Sequence, residues 1–226
     1  MKFGVVNFPG STGYSDTMYA LQVVLEQEAI EVWHESNSLP RVDVVVLPSG
    51  ASFGNEPSPG VKAAQSPIIR AIRKFADNRG VVLGIGNGFQ ILCAAKLLSG
   101  QLIANQSGVF AGKNIYVKAG NTSTPLTRLL SKEQILQLPI AHDFGQYRAD
   151  NKTMKDLHQN GQILLRYCNK DGTISALSNP DGSMDNIAAI HDRNIFGMMV
   201  CIERAVDPDL GNANGLLFFQ SLIGYR

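Results

Sequence analysis

The sequence predicts an α/β fold: a mixed, largely parallel central sheet with flanking helices. Three observations carry that expectation. Apolar runs bounded by turn residues alternate with segments whose apolar residues recur at helical spacing, the order expected of strands joined by crossover helices. The run "VDVVVLP" (42–48) is apolar almost throughout, as suits a strand covered on both faces. And "VVLGIGNGFQILCAA" (81–95) joins an apolar strand to a helical pattern through a glycine-rich knot.

Residues 2–8, "KFGVVNF", read as the first strand; after the turn "PGSTGYSD", Met18, Leu21, Val24 and Leu25 mark a helix. A short strand is expected over 32–34 and another over 42–48, after which a loop rich in glycine, serine and proline runs to Gly60. Ile69, Ile72, Phe75 and Ala76 define a helix that ends near Gly80. Pro67 sits near its start, where a fixed φ suits the first turn. Strand 81–85 follows. Beyond Gly100 the order changes: "FAGKNIYVKA" (110–119), "QILQLPIAH" (134–142) and "GQILLRYC" (161–168) read as successive strands of an antiparallel or mixed edge, with a short helix over 154–158. "NIFGMMV" (194–200) is the last strand and 213–223 the closing helix. No repeat, low-complexity tract or linker interrupts the order, so one domain is expected over 1–226.

A chain of 226 residues with 44% hydrophobic and 17% charged residues can bury a sizeable core. Its formal net charge is +1, with Lys and Arg scattered along the sequence, which argues against nucleic-acid or anionic-membrane partners. No stretch approaches the roughly 18 consecutive apolar residues of a membrane span. The three cysteines, Cys93, Cys168 and Cys201, are odd in number and lack a CxxC or metal-type spacing, which fits a reducing cytoplasm. His34, His158 and His191 lie in separate segments, so neither a metal nor another cofactor is expected. Asp181, Asp185 and Asp192 fall in or beside "NPDGSMD" and read as turn and surface residues.

The knot "GIGNGF" admits three readings. A dinucleotide fingerprint needs a third glycine where Phe89 stands, and an acid about 20 residues on, where Ala104 and Asn105 stand. A P-loop needs Lys followed by Ser or Thr where Phe89 and Gln90 stand. The third reading is a nucleophile elbow, in which a strand stops, one residue is held in a strained conformation at the tip, and a helix begins with its amides facing the substrate. Gly84 and Gly88 would let strand and helix pass closely, yet Gly86 at the tip has no side chain. On this stretch alone, glycines that merely pack a tight turn remain the simpler account.

Other segments change the balance. "FPGS" (8–11) with Asp16, "LPSGASFGN" (47–55), "GIGNGFQIL" (84–92), "NQSGVF" (105–110), "TPLT" (124–127), "LPIAH" (138–142), "NPDGSMDNIAAI" (179–190), "GMM" with "ERA" (197–205) and "LG" with "GLLFFQSL" (210–222) occur in one order from end to end. Read together, they resemble the class I glutamine amidotransferases, and among these the glutaminase subunits of phosphoribosylformylglycinamidine synthase of the purine pathway. The resemblance implies a flavodoxin-like sheet. It also implies a Cys thiolate at the elbow that attacks glutamine, a His in a His-Pro-Glu run that moves the proton, and main-chain amides that hold the oxyanion. Ammonia then passes to a large synthetase subunit that uses ATP.

Carried over residue by residue, the nucleophile position is Gly86, the His position is Cys201, and Glu203 alone remains of the triad. The oxyanion donors map to the amides near Gly50 and Asn87. The resemblance also leads one to expect Gly at Ser49, Asp at Asn55, a Gly-Glu pair at Asp143 and Phe144, and Cys at Gly13 and Gly112. The implied protein is a glutaminase-like subunit that docks on the synthetase without hydrolysing glutamine by the family chemistry. Two alternatives stand beside it: an active glutaminase using Cys201 with His142 as base, and a sensor whose residual pocket binds glutamine or a related small molecule. Cys93, seven residues along the helix from Gly86, reads as a core thiol.

Overall fold

The computed structural model describes residues 1–225. In chain order its first elements are β1 (Lys2–Asn7), α1 (Gly13–Tyr19), β2 (Glu28–Trp33), β3 (Val44–Leu47), α2 (Ile68–Asp77), β4 (Val81–Ile85) and α3 (Asn87–Ala94). There follow β5 (Gln101–Ile103), β6 (Ala111–Ala119), β7 (Ile135–His142), β8 (Gln146–Arg148), α4 (Asn151–Gln159), β9 (Ile163–Cys168), β10 (Ile187–Asp192), β11 (Ile195–Met198) and α5 (Leu216–Ile223). The chain divides into two compact units, one made of Met1–Leu98 with Asp192–Gly197 and the other of Ser99–His191 with the chain from Met198 onward.

The first unit is the parallel one. Its strands run in the order β2-β1-β3-β4-β11, and the β1/β2, β1/β3 and β3/β4 pairs are all parallel. β3 and β4 are buried at every residue, which is why both read as unbroken apolar runs. β2 is longer than the expected 32–34, beginning at Glu28. It lies at the sheet edge with Ala29 and Val32 buried and Glu28, Glu31 and Trp33 exposed, so charged residues interrupt its apolar signal. α2 covers the sheet with Ile68, Ile69, Ile72 and Ala76, Pro67 standing at its N-terminal boundary. α1 is extended by a π-helical turn over Ala20–Val24 that buries Leu21.

The second unit is antiparallel, with strand order β10-β9-β6-β7 and a separate β5/β8 pair. β6, β7 and β9 lie where the sequence places them. β10 is masked in the sequence by the turn-rich segment "NPDGSMDN" that runs directly into it, although Ile187, Ala188, Ala189 and Ile190 are all buried. β5 and β8 are three residues each, too short to show a period. The closing helix starts at Leu216 rather than 213, because the Asn212 and Asn214 amides donate to the Gln137 carbonyl (3.0 and 3.1 Å) and hold the preceding residues in a turn. Among the described residues no helix is long and apolar enough to cross a membrane.

Candidate functional site

The knot folds as a strand, a one-residue tip and a helix. Gly86 has φ 53° and ψ −108°, angles that a residue with a Cβ adopts only under strain, and its carbonyl accepts from Phe89 N at 3.0 Å as α3 begins. The glycines on either side serve packing. A Cβ on Gly84 would stand 2.7 Å from the Gly88 carbonyl oxygen, and one on Gly88 would collide with the Leu47 carbonyl oxygen. α3 thereby lies directly on β3 and β4, with Gly88 N donating to Pro48 O at 3.2 Å. Cys93 is core, and burial pushes its thiol well above the usual range.

The loop after β3 meets this tip. Asn87, 3% exposed, accepts from Ser52 N at 3.2 Å and donates to Gln90 Oε1 at 2.7 Å, so its side chain ties the elbow to the loop. Gly50 has φ 121°, and a Cβ there would come within 2.5 Å of Thr12 N. Gly50, Gly86 and Asn87 are thus gathered in one neighbourhood of the first unit, around Ser49. A Cβ on Gly86 would meet Ser49 Cβ at 3.1 Å; one on Gly13 would collide with Ser49 Oγ and stand 2.8 Å from its carbonyl oxygen. That carbonyl also accepts from Gly13 N at 3.1 Å and from Ser11 Oγ at 3.2 Å. The buried Ser49 side chain therefore takes up room that side chains at 13 and 86 would need.

Cys201 and Glu203 lie in the second unit, both buried, at the turn that follows β11; Cys201 N donates to Pro139 O of β7 at 2.8 Å. At the end of the same strand stands His142, 5% exposed. Its Nδ1 is 3.1 Å from Asn105 Oδ1, which also accepts from Gly145 N (2.9 Å), while the Asn105 amide donates to the carbonyls of Val109 and His142 (both 2.9 Å). Nδ1 is thus the donor, and Nε2 carries the lone pair with no hydrogen-bond partner among the described residues. Burial lowers the His142 pKa to about 4, so the ring is neutral at pH 7.

Asp181 corrects an expectation. It is 1% exposed rather than a surface turn residue, with Oδ2 3.7 Å from His142 Nε2. It accepts from Tyr167 OH (3.0 Å), Ser183 Oγ (2.7 Å) and Ser183 N (2.9 Å). Asn179 Oδ1, bonded to the N–H groups of Gly182 and Ser183, curls the turn so that Asp181 faces inward. Burial raises the Asp181 pKa against the pull of those hydrogen bonds, and the same burial raises that of Tyr167. Asp185 does lie at the surface, paired with Arg166 (2.8 Å) and His158 (3.0 Å). The inward Asp181–Tyr167 pair gave no signal in the sequence, because NPDG is ordinarily an exposed turn.

Comparison with known proteins gives a consistent result. Residues 1–214 match the family described as a CobB/CobQ-like glutamine amidotransferase domain. The chain is 41% identical to phosphoribosylformylglycinamidine synthase subunit PurQ of Koribacter versatilis over 226 residues, covering 99% of this chain and 98% of that protein. It is likewise 41% identical to the subunit of that name from Aquifex aeolicus, covering 99% of each. Among solved structures, PurLQS from Thermotoga maritima contains a chain that superposes with a TM-score of 0.88 at 33% identity, over 99% of this chain and 98% of that one. The glutaminase domain of Trypanosoma brucei CTPS, at 15% identity and a TM-score of 0.63 over 100% and 95% of the two chains, shares the fold.

Proposed function

The chain belongs to the CobB/CobQ-like glutamine amidotransferase family, and from that membership we propose that it is a glutaminase-like subunit of a phosphoribosylformylglycinamidine synthase that no longer hydrolyses glutamine by the family's thiol chemistry. The observation that carries this reading is Gly86, at the tip of a fully formed strand–helix elbow with no side-chain atom to attack an amide. Cys201 in place of the proton-moving His agrees with it, with Glu203 the one member of the triad retained. Loss of a nucleophile costs about 8 kcal/mol of transition-state stabilisation, roughly a 10^6-fold fall in turnover.

The dyad of Cys201 and His142 is a poor replacement. Burial lowers the His142 pKa to about 4, so its imidazole is a weak base for taking a proton from a thiol. What the elbow retains is its capacity to bind: Gly50 and Asn87 keep their loop and helix-start positions, which favours a bound carboxylate or amide that is not cleaved. The family match runs through both compact units, which supports treating residues 1–226 as one working domain. Its proposed partner is the large synthetase subunit, as in the PurLQS assembly of the relative, and its setting the cytoplasm.

The test is reconstitution. The purified chain, its synthetase, formylglycinamide ribonucleotide and ATP are assayed with glutamine or with an ammonium salt as nitrogen donor. Amidine formation with ammonium alone is the expected result. Turnover with glutamine at a comparable rate would overturn the reading.

A further inference from the structure

We propose that a cavity of about 500 Å³ in the first unit, between α2 and the loop that follows β2, binds a small organic phosphate. Three cations line it, Arg41 from the loop and Arg70 and Lys74 from α2, together with Asn37, Phe75 and Asn78. Arg70 and Lys74 are four residues apart and so share one helix face, a like-charge spacing that disfavours the helix. Arg41 approaches the same space from the other wall. None of the three forms an ion pair among the described residues.

No acidic residue lines the cavity. Neither Asp77, which follows Lys74 on the helix, nor Asp43, next to Val42, is among the residues that line it. A lining of three cations and no acid stands out in a chain whose formal net charge is +1. An anion seated between the walls removes the repulsion and gives two guanidinium forks the acceptor geometry they match best, a phosphate. The Asn37 and Asn78 side chains add polar contacts, and Phe75 offers an apolar flank for the organic part of the ligand. The volume lies within the roughly 300–1,000 Å³ range of small-molecule sites.

The cavity includes Val42, just before β3 begins, whereas Gly86 follows the end of the parallel neighbour β4, so the two features belong to opposite strand ends. A ligand here is additional to anything held at the elbow, and the inference stands whether or not the chain hydrolyses glutamine. The experiment is calorimetric titration of the full chain with inorganic pyrophosphate and with adenosine 5′-monophosphate, using adenosine as the uncharged control. Saturable binding of both anions is expected, weakening as salt is raised, with no binding of adenosine. Affinity should fall at least tenfold in Arg70→Ala with Lys74→Ala, and also in Arg41→Ala, which leaves the helix untouched. Absence of saturable heat with either anion at low salt, or unchanged affinity in both variants, would overturn the proposal.

Discussion

Ser49 decides what a side chain at position 86 would meet. Gly86→Ala must hold a Cβ at φ 53° against Ser49 Cβ, and should cost about 1–3 kcal/mol in urea unfolding. Ser49→Gly in the same chain should recover part of that loss, a coupling of about 0.5–3 kcal/mol in a double-mutant cycle; strict additivity would show that the two sites do not compete. The same contact governs restored chemistry. Gly86→Cys with Cys201→His should release ammonia from glutamine faster once Ser49→Gly is added, as read in a glutamate-release assay. His142 makes a prediction about pH. Its pKa is about 4 in the folded chain and about 6.5 unfolded, so on acidification the unfolded chain takes up the proton first. The stability it contributes is complete above about pH 6.5 and is lost as the pH falls towards 4, roughly 3 kcal/mol in all. Asp181 acts in the opposite sense, since its raised pKa lets the folded chain protonate first and offsets part of the loss. His142→Asn should therefore show a smaller fall in urea midpoint between pH 7 and 4.5 than the parent chain.

At the scale of elements, the glycines around the tip act through backbone approach. Gly88→Ala would drive a methyl group into the Leu47 carbonyl, and α3 could not keep its place on β3; loss of soluble, cooperatively unfolding protein is the expected outcome, measured by thermal melting. The parallel elements were legible because burial on both faces forces continuous apolar runs, as in β3 and β4, and because Pro67 and the Ile69/Ile72/Ala76 spacing bound and orient α2. The elbow was legible as a shape, with Gly86 at its tip. What stayed hidden has local causes. β2 lies at an edge where Glu28, Glu31 and Trp33 are exposed and only Ala29 and Val32 are buried, β5 and β8 are too short for a period, and β10 follows directly on a 3₁₀ turn. The Asp181–Tyr167–His142 neighbourhood depends on three distant segments meeting, which no spacing along the chain records. The cation cluster of Arg41, Arg70 and Lys74 is a tertiary feature of the same kind: the charges look scattered in sequence and converge only when the loop folds against the helix.

For the molecule as a whole, the first unit is discontinuous. It is made from Met1–Leu98 and, after a long interval, Asp192–Gly197. The returning segment is bonded into it: Asn194 donates through its side chain to the carbonyls of Ala76 and Gly80, and its own carbonyl accepts from Val82 N at 3.0 Å. A fragment ending at Leu98 lacks these partners for Ala76, Gly80 and Val82, and should show weaker amide protection at Val82 in hydrogen exchange than the full chain. The same feature sets a clock on biosynthesis. At about 5–20 residues per second, a ribosome needs roughly 5–20 s to translate from Leu98 to Asp192. Throughout that interval the nascent N-terminal half waits with one flank of β4 open, a window in which a chaperone or a stray strand from a neighbouring polypeptide can reach it before its own sequence does.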